Sequence, residues 1–286
     1  MEKMSSRKQN SKTITKDELR NIQLDMLRFV DSVCRKNNIE YSLAGGSLLG
    51  AIRHGGYIPW DDDIDIELTR SNYDQLLSAL VNSLPTHYSL IYYKVSEAYL
   101  PFAKLYDNRT FFTSTLDRLH LGTGVFLDIF PMDILPDDDT KRAAFKKEFR
   151  KKAIQLTASN PRLTDYPSSV NRIYYLGKLV LWLPYHLKYS GKSRQLAASL
   201  DSYMQTYANT DNHLVSYLYT GYKNAIFPKE IWEEYEDVSF ENLTVRKLKN
   251  HDTYLTLQYG DYMQLPPENK RITHSYYHWY WKEEKE

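Results

Sequence analysis

The chain opens on a polar stretch, MEKMSSRKQNSKTITK, that shows no apolar period, and residues 1–14 are expected to form a flexible tail. Thr15 and Glu18 then stand at the T-x-x-E spacing of a capping box. Leu19, Ile22, Leu24, Leu27, Val30, Val33 and Cys34 follow near the helical period, which predicts a helix to about Lys36. IEYSLAG (39–45) reads as a short strand ending on glycine, and SLLGAIRH (47–54) as about two helical turns. Gly55, Gly56 and Pro59 interrupt any period, so GGYIPW is a loop. DIDIEL (63–68) alternates acid with aliphatic, the period of a strand. Asp63, Asp65 and Glu67 are expected on one face, and Ile64, Ile66 and Leu68 on the other. Ser71 is expected to cap a helix carrying Tyr73, Leu76, Leu77 and Leu80. YSLIYYKV, FAKLYD, TFFTST and GVFLDIFPMD read as further strands. After Pro136 the pattern turns helical, over 139–158 and about 168–208, with one more helix near 250–259 ending at Gly260. LPPENKR (265–271) is an extended loop. The pattern predicts an α+β (mixed α/β) fold, with a mixed sheet and helices over 15–136, a mainly helical region over 137–227, and a C-terminal segment, 228–286.

Composition narrows this little but usefully. The 286 residues are 42% hydrophobic, enough for one large core or two modest ones. Lys+Arg of 37 against Asp+Glu of 36 leaves a net charge of +1, so no global basic field marks a nucleic-acid partner. The single cysteine, Cys34, excludes an intramolecular disulfide framework and a cysteine-rich zinc site, and its helical spacing suits a buried small hydrophobe. The polar start lacks an apolar leader, and no clean apolar stretch reaches a membrane span, so the expected location is the cytoplasm.

The chemistry is concentrated in GGSLLGAIRHGGYIPWDDDIDIEL (45–68). Alternate carboxylates on a strand project the same way, about 6.5–7 Å apart. A hard divalent cation, Mg2+ or Mn2+, can bridge such a pair. Upstream, AGGS opens a short helix whose first N–H groups suit phosphate. Strand, glycine turn, helix, loop and acidic strand in this order are the apparatus of phosphoryl or nucleotidyl transfer. Asp63 and Asp65 are the expected metal ligands, with Asp61 of the same parity a third. Asp62 would point the other way and reads as a loop residue without a role. Asp128, an acid between Leu127 and Ile129, needs a partner: it is a metal ligand, a general base for an acceptor hydroxyl, or a hydrogen-bonded structural group. Asp133 is a weaker candidate. Gly45, Gly46 and Ser47 should approach donor phosphates. Arg53 and His54 either offset transition-state charge or, for Arg53, pair with the aspartates. Lys104 either faces the site or lies on the surface.

The stretch LAGGSLLGAIRHGGYIPWDDDIDI, with VFLDIFPMDILP (125–136) and YGDYMQLPPENKR (259–271), resembles the LicD family of phosphotransferases, to which fukutin-related proteins are related. The resemblance implies a nucleotidyltransferase-like core over 15–136, completed by the C-terminal segment, with Asp128 as the third carboxylate and Arg271 and His274 as matching site positions. It implies a CDP-linked alcohol donor, CDP-choline first, and release of CMP as a hydroxyl of a cell-surface glycan or teichoic acid precursor attacks. Tyr57, Trp60 and the run YYHWYW (276–281) are candidates for an aromatic box around choline, or they pack on the core. True nucleotidyl transfer with release of pyrophosphate, and non-catalytic glycan or choline binding, are the competing readings.

KRAAFKKEFRKKA (141–153) holds seven basic residues and one acid, and IYYLGKLVLWLPYHLKY (173–189) is apolar but broken by Lys178, Pro184 and His186. Either one solvated and one buried helix follow, or a face that touches an anionic membrane and serves a lipid-linked acceptor.

Overall fold

The computed structural model describes residues 11–114, 116, 117, 119, 120, 122–165, 171–219, 225–271 and 276–283. Helix α1 (Lys16–Lys36) begins at the capping box: the Glu18 N–H donates to Thr15 Oγ1 at 3.2 Å and the Thr15 N–H to Glu18 Oε2 at 2.9 Å. Its apolar stripe, including Leu27, Val30 and Cys34, is fully buried. Covering each large aliphatic stabilises the fold by about 1.5–3 kcal/mol. Of the expected tail, Lys12 to Ile14 is instead tied down: the Ile14 N–H donates to Trp279 O at 3.0 Å, and the Trp281 N–H to Lys12 O at 2.9 Å.

Six short strands and one long one build the central mixed sheet. They are β1 (Ser42–Leu43), β2 (Asp65–Thr69), β3 (Tyr88–Ile91), β4 (Ala103–Asp107), β6 (Phe126–Leu135), β7 (Leu214–Ser216) and β8 (Phe227–Pro228). The path runs β1-β2-β6-β4-β3, and β7 and β8 extend it from the far half of β6. Among the described residues β2 and β6 form the parallel pair, and the other pairings of the sheet are antiparallel. Aliphatic residues such as Ile64, Ile66, Leu105 and Leu127 fill the core, which α1 and α3 (Arg70–Ser83) cover. Two smaller pairings complete the strands: β5 (Thr110–Ser114) with β11 (Tyr277–Trp281), and β9 (Tyr235–Phe240) with β10 (Leu243–Leu248).

Four further helices are α2 (Gly45–His54), α4 (Asp139–Thr157), α5 (Arg172–Tyr189) and α6 (Ser193–Met204), and a last one, α7 (His251–Tyr259), stops at Gly260. A second apolar cluster, with Phe145, Phe149, Leu156, Leu200 and Met204, joins α4 to α6. The helical pattern expected over about 168–208 resolves into two helices, α5 and α6, because the chain turns at Gly191, whose φ of 75° is costly for other residues. β1 is shorter than expected because Gly45 already begins α2. Ser71 does not cap α3: β2 runs straight into that helix, Thr69 holds the cap position, and Ser71 lies in the first turn. Nor is α5 buried, since no described side chain of it reaches the core. Among the described residues no helix is long and apolar enough to cross a membrane.

Candidate active site

Three charged side chains stand in one row across the sheet. Asp65, the first residue of β2, is in register with Asp128 on β6, and Asp128 is in register with Lys104 on β4. The Lys104 ammonium, buried with its residue 5% exposed, donates to Asp128 Oδ2 at 2.8 Å and lies 2.5 Å from Oδ1. That second contact lacks hydrogen-bond geometry, which leaves Oδ1 a buried oxygen without a donor. The same ammonium sits 3.7 Å from the centre of the Phe126 ring. An unpaired lysine here would be costly, and pairing with Asp128 removes that cost. Lys104 is therefore not a surface lysine.

Asp65 is held from behind. The Ser47 hydroxyl, buried near the start of α2, accepts the Asp65 N–H at 2.9 Å. Ser47 thus makes a positioning contact, where an approach to phosphate was expected of it. Gly46 admits the neighbouring acid: a Cβ there would meet Asp61 Oδ2 at 2.7 Å. Gly45 donates its N–H to Tyr254 Oη at 3.2 Å, and Tyr254 in turn donates to Glu67 Oε2 at 3.1 Å.

The aspartates group differently from the parity expectation. Residues 61–64 are not strand, so alternation does not apply to them. Oxygens of Asp61, Asp62 and Asp63 lie within 4.8 Å of one another, and Asp62 belongs to this group. Asp65 stands one step further on, beside Asp128. Burial first, then the charges of Asp63 and Asp128, push the Asp65 carboxyl well above its ordinary value, with Lys104 opposing. Burial also raises Asp128, again against Lys104. This crowd of carboxylate oxygens has the composition a hard divalent cation takes. The oxygens of Asp61, Asp62 and Asp63 are grouped closely enough to share such an ion, with Asp65 next along the chain, while Asp128 is already paired with Lys104.

Two cavities flank the row. One, of about 510 Å³, is lined by Gly45, Gly46, Arg53, Trp60, Asp61, Asp63 and Asp65, and across from them by Tyr217, Gln258, Tyr259 and Tyr262. Arg53 closes it by donating to Tyr262 O at 2.7 Å, so its guanidinium is spent on the backbone of the C-terminal segment. Its neighbour His54 accepts the Arg53 Nε–H at 3.0 Å, and burial, then Arg53, lowers the imidazole from its usual value. Arg271 stacks on Trp60 at 4.6 Å, at the rim. His274 lies outside the described residues. The other cavity, of about 820 Å³, is lined by Lys104, Asp117, Arg150, Trp182, Tyr219, Tyr276 and Tyr277. Asp65 thus opens on one cavity and Lys104 on the other.

Asp133 is a structural group: Arg70 binds it through two bonds, at 2.7 and 2.6 Å, and reaches Asp201 of α6 at 2.9 Å. Tyr57 is no part of an aromatic box, since it is buried and donates to Gln23 Oε1 at 2.9 Å. Trp60 already carries Arg271. In the C-terminal run Trp279 and Tyr280 are buried, and Tyr276 and Tyr277 alone of it reach the larger cavity. The site residues that sequence reasoning missed are Glu67, Tyr254 and Tyr217. Glu67 was grouped with the open acids, but α7 covers it, and burial drives its carboxyl well up.

Residues 38–162 match the family model described as LicD/FKTN/FKRP, nucleotidyltransferase domain. The matched span holds the whole row and the glycine turn, but not Arg271. Over 268 residues the chain is 29% identical to the lipopolysaccharide cholinephosphotransferase LicD of Haemophilus influenzae, covering 92% of this chain and 97% of that protein. It is 38% identical over 73 residues to the ribitol 5-phosphate transferase FKRP of human and mouse, covering 24% of this chain and 15% of theirs.

Proposed function

We propose, for a phosphotransferase of the LicD type that carries this domain over residues 38–162, transfer of a phospho-alcohol group from a CDP-linked donor to a glycan hydroxyl, with CMP released. Phosphocholine is the first group to test, because the relative similar over nearly its full length is named a cholinephosphotransferase. The observation that carries the reading is the row Asp65, Asp128 and Lys104, set between two cavities. A single-substrate pocket needs one opening. A transfer needs two substrates to meet at one point, and the row is that point.

The donor occupies the 510 Å³ cavity, with its diphosphate at the first turn of α2, where the helix dipole favours negative charge. Arg271, stacked on the cavity-lining Trp60, offsets phosphate charge, and Arg53 holds the C-terminal segment across the cavity. The acceptor hydroxyl comes from the Lys104 side. Asp128 takes its proton, and Lys104 holds the Asp128 carboxylate toward that oxygen. As the acceptor oxygen bonds to the phosphorus bearing the alcohol, the bond from that phosphorus to the CMP oxygen breaks, and CMP leaves with the electron pair. A divalent cation, Mg2+ or Mn2+, held by Asp61, Asp63 and Asp65, would supply charge neutralisation on the phosphoryl oxygens. Ser47 and the Tyr254–Glu67 contact keep Asp65 and the α2 turn in place. A CDP-linked donor carries with it a cytoplasmic location.

Product analysis tests this. The protein is incubated with Mg2+, a glycan fraction and CDP-choline, CDP-ribitol or CDP-glycerol, and products are read by phosphorus NMR. CMP with a new phosphodiester supports the reading. Pyrophosphate released from a nucleoside triphosphate, with CDP-alcohols left intact, replaces it by nucleotidyl transfer.

A further inference from the structure

Helix α5 is covered on one side only. Tyr175, Leu179, Trp182, His186 and Tyr189 are half-buried and recur at the helical period, marking the face turned toward the protein. Most of the rest of the circumference is apolar and open, with Lys178 and Lys188 its exposed lysines. Ile173, Leu176, Val180, Leu181, Leu183 and Leu187 are all exposed, Leu181 by 73% and Leu187 by 76%. Six large aliphatic side chains exposed on one helix make a contiguous apolar face, not the singly scattered apolar residues that are ordinary on a soluble surface.

The surrounding charge says what covers it. α5 contains no acid; its charged side chains include Lys178 and Lys188. The adjacent α4 carries seven basic residues and one acid over 141–153. Lys147, Arg150 and Lys151 are exposed there, and Arg150 shares a cavity with Trp182 of α5. Cations thus flank an apolar face bearing the exposed rings Tyr174 and Tyr185. A second copy would set this positive charge against its like. An anionic bilayer meets both the apolar and the basic part.

We propose that α5, with the basic face of α4, docks in the plane of an anionic membrane. The helix lies on the bilayer and does not cross it. The 820 Å³ cavity then runs from Lys104 to Trp182 and Ile154, both on or beside the docking face. Resting on the phosphotransferase reading, this sets the route of the acceptor: from the docked face through the 820 Å³ cavity to Lys104, beside Asp128.

Vesicle flotation tests the docking with the full chain. Vesicles of equal parts phosphatidylglycerol and phosphatidylcholine are compared with pure phosphatidylcholine, at low and high salt. The expected result is flotation with the anionic vesicles, weakened by salt, and a fall of about tenfold or more in the bound fraction for Leu176→Glu with Leu181→Glu. The melting temperature and turnover of a water-soluble acceptor stay unchanged in that variant. Should it fold poorly, Val180→Ser with Leu181→Ser serves in its place. Absence of flotation at low salt, equal binding to neutral vesicles, or full binding by the variants overturns the proposal. So does a stable dimer that the substitutions dissolve. Flotation without turnover of any CDP-alcohol upholds the docking and removes the phosphotransferase reading alone.

Discussion

Asp65 and Asp128 stand opposite one another on the parallel pair β2 and β6, with Lys104 completing the row from the other side. One cation therefore serves two buried carboxylates, and the aspartates of the preceding loop add more negative charge. The arrangement is poor for stability and suited to binding positive charge.

Asp65→Asn should separate these two properties. It removes a buried group whose charge is opposed by burial, Asp63 and Asp128. The metal-free variant is expected to be more stable than the wild type by about 1–2 kcal/mol. Chemical denaturation in chelator measures this, and a variant clearly less stable than wild type contradicts it.

Ser47→Ala acts on the same carboxylate from behind. The Asp65 N–H loses its acceptor, and a buried donor left unpaired costs about 1–3 kcal/mol. Turnover should fall with little change in donor affinity, because Ser47 bonds Asp65 and is not part of the lining of the 510 Å³ cavity. Ser47→Thr, which keeps the hydroxyl, should restore most of it. Steady-state kinetics of the three proteins checks the split.

His120 gives a pH dependence. It is buried, both ring nitrogens lack partners, and burial lowers its pKa from 6.5 to about 4, with Asp117 opposing and Lys104 assisting. The folded state holds the proton less tightly than the unfolded state. Its contribution to stability is therefore complete above the ordinary pKa and is lost as pH falls from about 6.5 toward 4. The loss is on the order of 3 kcal/mol. His120→Leu should flatten that part of the stability curve, measured by denaturant midpoints across the range.

The Arg70 network should be structural. Arg70→Ala leaves Asp133 buried and unpaired, and a loss of about 3–5 kcal/mol is expected. Asp133→Asn, assayed at a temperature where it is folded, should keep its turnover. A large drop in turnover there would return Asp133 to the reaction.

The long apolar periods of α1 and the alternation of β2 were legible, because each depends on neighbours in sequence. So was the association of GGS with the acids. The parity rule failed at Asp62 because β2 begins only at Asp65, and a loop carries no alternation. The Lys104–Asp128 pair depends on the β4–β6 register, which neither segment specifies alone. Glu67 reads like another site acid until Tyr254, far along the chain, covers it. An apolar run such as 173–189 states that something must cover it, and the fold shows that the protein itself covers one side.

The central claim is that the carboxylates around Asp65 perform metal-dependent phosphoryl transfer. Turnover of a CDP-alcohol, followed as CMP release with and without divalent cation, tests it in wild type and Asp65→Asn. The account predicts that wild-type turnover disappears in chelator and returns with Mg2+ or Mn2+, and that Asp65→Asn falls by about a thousandfold or more at any metal concentration. Undiminished turnover by Asp65→Asn, or by wild type in chelator, would contradict it.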